Sequence, residues 1–154
     1  MLAHNLSDND LEDIEFVWAN SSEGELLVDY SKKHKRECFE VLKFLAKSRN
    51  PEVRWQVYEA LDDSSKKEII LLRGGLNDKD PYCRRRAVLC LARTFPPDAK
   101  SLAERFLKDE DPYMRLAALE LVRASKDQKF IKDVKSRMLQ DPIDYVRREA
   151  KTLK

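Results

Sequence analysis

The sequence predicts an all-α fold, an α/α solenoid. It is expected as a right-handed superhelix of about four helix pairs with one or two capping helices at the N-terminal end. Three observations predict it. Apolar residues recur at helical spacing, as in Ala99, Leu102, Ala103, Phe106 and Leu107, where no strand alternation fits. A turn segment recurs along the chain: LNDKDPYCR from Leu76, LKDEDPYMR from Leu107 and LQDPIDYVR from Leu139, with a looser copy, NPEVR, from Asn50. The columns also keep register. Arg54, Arg84, Arg115 and Arg147 are spaced by 30, 31 and 32 residues, and Val53, Cys83, Met114 and Val146 precede them at a fixed offset, as Val57, Ala87, Ala118 and Ala150 follow. Such a period marks stacked two-helix units, none of which can bury its apolar face alone.

Taken in order, Ser7 or Asp8 caps a first helix reaching about Asn20. Its acids sit in the first turn, and Leu11, Ile14, Phe16, Val17 and Trp18 form its apolar side. The run from Glu25 to Tyr30 reads equally as a short helix or an irregular connector. A helix over about 31–48 carries Cys38, Phe39, Leu42, Leu45 and Ala46 on one face. The first helices of the pairs then fall at about 65–76, 97–107 and 126–139, and the second helices at about 51–62, 81–94, 112–125 and 144–153. Asp80-Pro81 and Asp111-Pro112 start two of the second helices, with an acid as cap and a proline where the missing N–H costs nothing. In the last copy the proline has moved to Pro142, so Asp144 is expected to cap. Gly74-Gly75 should kink or end its helix early.

The segments DPYCRRRA from Asp80, DPYMRLAA from Asp111 and YVRREA from Tyr145 resemble the second helices of HEAT-like repeat proteins, of the short bacterial type. The resemblance covers about residues 32–154 and implies the paired-helix architecture. It says far less about activity, because proteins of this kind include scaffolds, immunity-type and regulatory binders, bilin lyases, a metal-dependent hydroxylase and DNA glycosylases.

At 154 residues the chain fits a single domain, residues 1–154, with an acidic N-terminal cap over 1–31 and repeats over 32–154. Eight of the 28 acids lie in residues 1–30, which hold no Lys or Arg. The remaining 20 face all 30 Lys and Arg, so residues 31–154 carry +10. The acidic segment reads first as a cap on the open apolar end and second as a docking surface for a basic partner. Three cysteines, Cys38, Cys83 and Cys90, lie in apolar helical patterns without a Cys-x-x-Cys pair, which predicts buried free thiols in a reducing compartment. Residues 1–10 lack the charged start and apolar run of a signal peptide, and no window approaches a membrane span, so a cytoplasmic protein is expected. The only histidines, His4 and His34, do not precede a glutamate in the pairs that metal chemistry of this scaffold needs, and no nucleophile–base pair stands out. No catalytic residue, cofactor or metal is therefore expected.

The arginine column reads as a structural ladder to Asp78, Asp109 and Asp141 in the preceding turns. Beside the core stripe, helical angles place Trp55, Glu59, Tyr82, Arg85, Arg86, Leu89, Arg93, Tyr113, Leu116, Glu120 and Arg148 on the opposite or flanking face, expected to be concave. Trp, Tyr and Arg are the residue types enriched at binding hot spots, and exposed leucines suit a partner better than water. Trp55, Tyr82 and Tyr113 are then anchors, and Arg85, Arg86 and Arg148 supply charge. The favoured reading is a non-catalytic protein-binding module, an immunity or regulatory factor that occludes its partner. The alternative is a nucleic-acid binder or a small enzyme, glycosylase-like or bilin lyase-like, resting on Arg84, Arg85 and Arg86 with the basic run from Lys32 to Arg36.

Overall fold

The computed structural model describes residues 6–21, 24–61, 65–94 and 97–154. The expected helix end at Asp62, together with His4 and Glu23, lies outside them. Ten helices and no strand occur among the described residues, which is the all-α arrangement of helix pairs that the periodicity predicts. The chain divides into two compact units, residues 1–87 and 88–154, and the division falls inside one helix.

The first unit opens with α1 (Asp8–Asn20). Ser7 caps it reciprocally with Asp10: the Asp10 N–H donates to Ser7 Oγ at 3.3 Å, and the Ser7 N–H donates to Asp10 Oδ2 at 2.8 Å. Trp18 is its buried residue, flanked by half-buried Leu11 and Ile14. Phe16 and Val17, expected on the apolar side, are 69% and 51% exposed. The face is set by positions i, i+3 and i+7 through Leu11, Ile14 and Trp18, and Phe16 and Val17 fall off it.

The undecided connector is helix α2 (Gly24–Lys33). The single helix expected over 31–48 is instead the end of α2 followed by α3 (Lys35–Leu45), with the break at His34, whose backbone stands at φ −118°, ψ 43°. The physical reason lies in packing. Both helices lie against α4 (Pro51–Ala60) and against each other, which one continuous helix cannot do. Helix α4 is the centre of this unit, since α1, α2 and α3 all pack on it, and it buries Val53, Val57, Tyr58 and Ala60. After it comes α5 (Lys66–Gly75), capped by Ser65 and ended at the glycine pair, and then the start of α6 (Pro81–Thr94), where Asp80 Oδ1 accepts from the Cys83 N–H at 3.0 Å.

The second unit holds the rest of α6, then α7 (Ala99–Phe106), α8 (Pro112–Ala124), α9 (Gln128–Met138) and α10 (Asp144–Lys151). Helix α8 is its centre, with α7, α9 and α10 packed on it. Asp111 and Asp127 cap α8 and α9 by accepting from the N–H groups of Tyr113 and Phe130. Asp144 does not cap α10. Ile143 holds that position without a side-chain bond, and Asp144, one residue inside, pairs with Arg147 at 3.2 Å and Arg148 at 3.0 Å. With the proline shifted, the cap position falls on Ile143, one residue before the acid.

The two apolar columns are the core of each unit: Val53, Cys83, Met114 and Val146 are fully buried, as are Val57, Ala87, Ala118 and Ala150. The arginine column is structural, with one correction of direction. Each arginine donates from Nη1 to two carbonyls of the turn before it: Ser48 and Arg49 for Arg54, Asp78 and Lys79 for Arg84, Asp109 and Glu110 for Arg115, Asp141 and Pro142 for Arg147. The carboxylate partner lies in the following turn instead. Arg54 grips Asp78 through Nε and Nη2, both at 2.8 Å, and Arg115 grips Asp141 at 2.7 and 2.9 Å. One guanidinium thereby ties two successive turns, a task its planar fork suits and an ammonium does not.

Candidate protein-binding site

In the first unit, four of the sequence-derived candidates converge. Trp55 and Tyr82 meet edge-to-face with ring centroids 5.7 Å apart. The Arg86 guanidinium lies 5.3 Å from the Trp55 ring and 5.4 Å from the Tyr82 ring, and its Nη2 donates to Tyr82 Oη at 3.0 Å. Arg86 Nη1 also reaches Glu59 Oε2 at 3.5 Å, and Lys32 of α2 reaches the other oxygen of Glu59 at 3.5 Å. Arg85 lies over the Tyr82 ring at 4.8 Å. The cluster's side chains are tied to one another from helices α4 and α6.

Trp55, Glu59 and Arg86 of this cluster line an open groove of about 770 Å³ between α2 and α4. Glu52, Trp55, Gln56 and Glu59 of α4 line one side. Glu25, Leu26, Asp29 and Lys32 of α2 line the other. Trp55 donates its indole N–H to Glu52 at 2.8 Å, which fixes the ring. Gln56 is 6% exposed, and its Oε1 has no hydrogen-bond partner among the described residues. The sequence offers 1–31 first as a cap and second as a docking surface for a basic partner, and Lys32 as part of a basic run, but nothing in its spacing points at α4, so the α2 wall could not be placed. Gln56 was legible only as a residue next to Trp55.

In the second unit the candidates are more dispersed. Tyr113, 51% exposed, stacks on Tyr145 with centroids 5.6 Å apart. Tyr145 was missed, although Tyr82, Tyr113 and Tyr145 keep the spacing of 31 and 32 residues and the column could have found it. Glu120 pairs with Arg123, which also holds Glu149 at 2.6 Å and Thr152 at 2.8 Å. The Arg123 bond draws the Glu149 carboxyl below its ordinary value. Arg148 is exposed and paired with Asp144. Leu89 and Leu116, expected as exposed apolar contacts, are half-buried. Their positions beside the core stripe turn them partly inward.

None of the three cysteines is in a disulfide: Cys83 and Cys90 are buried and Cys38 half-buried. Burial, with Asp78 nearby, pushes the Cys83 thiol up to about 12, and burial also raises Cys38. Neither has the thiolate character a nucleophile needs. No helix of the described residues is long and apolar enough to cross a membrane. A family model described as HEAT repeats matches residues 69–154, more than half of the chain. No curated protein and no solved structure matches it.

Proposed function

The chain belongs to the HEAT-repeat family, whose repeats generally mediate protein–protein interactions in a scaffold role, and from that premise we propose that it is a non-catalytic module that captures and occludes one partner protein. The observation that carries the reading is the Trp55–Tyr82–Arg86–Glu59 cluster, three of whose members line the groove between α2 and α4. Aromatic and arginine side chains are the residues that dominate binding energy, and here rigid helices and mutual bonds lower the ordering cost of docking. Tyr113, Leu116, Glu120 and Arg148 of the second unit, with Leu89 and Arg85, serve as further contact residues. A role as an immunity or regulatory factor acting in the cytoplasm accords with a small domain that presents such a face. Nucleic acid is the weaker reading, because Arg86 and Lys32 are already committed to Glu59 and Arg84 to backbone carbonyls.

Affinity capture of the native partner tests this. The wild-type chain should retain one partner, and Trp55→Ala or Arg86→Glu should each weaken retention at least about tenfold, the scale of an interface hot spot. Retention undiminished by both substitutions overturns the site. A labelled duplex bound with a steep salt dependence that Arg85→Glu and Arg86→Glu abolish would replace the protein-binding reading with the nucleic-acid one.

A further inference from the structure

We infer that the α2–α4 groove is a receptor for an arginine side chain in a basic segment of the partner protein. The inference rests on the protein-binding reading above and names what that site selects.

Charge is the first ground. Four carboxylates line the groove, those of Glu25, Asp29, Glu52 and Glu59, against two cations, Lys32 and Arg86. Both cations bond to the same carboxylate, Glu59, at 3.5 Å. Three carboxylates therefore face the groove with one cationic charge left to offset them. The local field favours a cation and opposes an anion or a phosphate.

The second ground is the aromatic wall. Trp55 lines the groove beside the carboxylates, with its indole N–H held by Glu52 at 2.8 Å, and Leu26 adds an apolar rim, 61% exposed. A guanidinium suits this lining, since its planar fork can donate to a carboxylate while its face lies on an indole. An ammonium meets the charge alone.

The test is fluorescence anisotropy of the full chain with a fluorescein-labelled glycine–serine peptide that carries arginines and one leucine. The same peptide is run with citrulline, lysine or glutamate replacing arginine. The arginine peptide should bind at least about tenfold more tightly than the citrulline peptide, and more tightly than the lysine peptide. Trp55→Leu should weaken it about tenfold. So should the doubly substituted Asp29→Asn, Glu52→Gln chain, whose altered side chains are on the surface and whose helicity and unfolding midpoint should stay as in the wild type. Equal affinity for arginine and citrulline peptides, binding undiminished in both variants, or preference for the glutamate peptide overturns the inference. Partner capture is read in parallel. A partner retained by a chain that ignores the arginine peptide removes the arginine receptor and leaves the binding function standing. Loss of both removes both.

Discussion

Arg54 and Arg115 each join two turns through hydrogen bonds to carbonyls behind and a carboxylate ahead, and both are nearly fully buried. Removing one partner of such a pair leaves the other charge buried and unmatched. Asp141→Ala should therefore cost about 3–5 kcal/mol in urea unfolding, whereas replacing Arg115 by Met and Asp141 by Leu together should cost far less. The pairs also make stability depend on pH. Burial pushes the Asp78 and Asp141 carboxyls up. The bonds from their arginines and from backbone N–H groups, with Tyr58 Oη at 2.9 Å for Asp78, outweigh it and hold both below the ordinary 3.8. Their stabilisation is complete above 3.8 and is lost as pH falls through the lowered folded values. Urea midpoints of the wild type should thus drop on acidification below about pH 4, and the drop should shrink in the Arg115→Met, Asp141→Leu chain. The columns showed that these arginines repeat; they did not show which turn each reaches. The period places residues modulo one repeat, and whether a side chain bonds backward or forward depends on the stagger of the stacked turns.

At the scale of elements, adjacent glycines at the end of α5 behave differently. A Cβ on Gly74 would meet nothing within 4 Å, whereas one on Gly75 would come within 2.8 Å of Ala87 Cβ and 2.9 Å of the Tyr58 ring. Gly74→Ala should stabilise by about 0.5–1 kcal/mol through helix propensity, and Gly75→Ala should destabilise by about 1–3 kcal/mol through overpacking, both read from chemical unfolding. Beyond α8, Lys126 takes a left-handed backbone, φ 52°, so Lys126→Gly should stabilise by about 1 kcal/mol. Helix existence was largely legible: Ser7, Asn50, Ser65, Asp111 and Asp127 announce starts through local chemistry. The split of 31–48 at His34 was not, because Tyr30 to Lys35 carries neither glycine nor proline. Packing on α4 makes that break, and packing is not written in any one local run. His34 then stacks on Tyr30 at 4.3 Å.

At the scale of the whole chain, the two compact units give perturbations a boundary. In Arg115→Ala, amide hydrogen exchange should accelerate over 88–154 well before 1–87, as expected where repeats are stabilised mainly by near neighbours. Half of the candidate site was readable. Trp55, Glu59, Tyr82 and Arg86 share one face of the second helices by spacing alone, and the structure brings them together. The acidic segment was readable as a docking surface, but its place against α4 was not, since it lies outside the repeat period. The first turn shows what that segment does for the array. Where later turns carry an aspartate accepting from an N–H two residues on, this one has Ser48, whose Oγ accepts from the Asn50 N–H at 3.0 Å and donates to Glu15 of α1 at 2.5 Å. The acidic helix thus delivers the carboxylate that the first copy lacks.

The shielded thiols turn the molecule into its own unfolding reporter. Cys83 and Cys90 sit on α6 on either side of the division between the units, and both are closed to reagents in the folded chain. Iodoacetamide added without denaturant should alkylate Cys38 first and reach the other two only when α6 detaches. Matching rates at Cys83 and Cys90, followed by mass spectrometry of the digested chain, are the expected result for a helix that comes away as one piece. Unequal rates would mean that the helix frays from the end that is alkylated sooner.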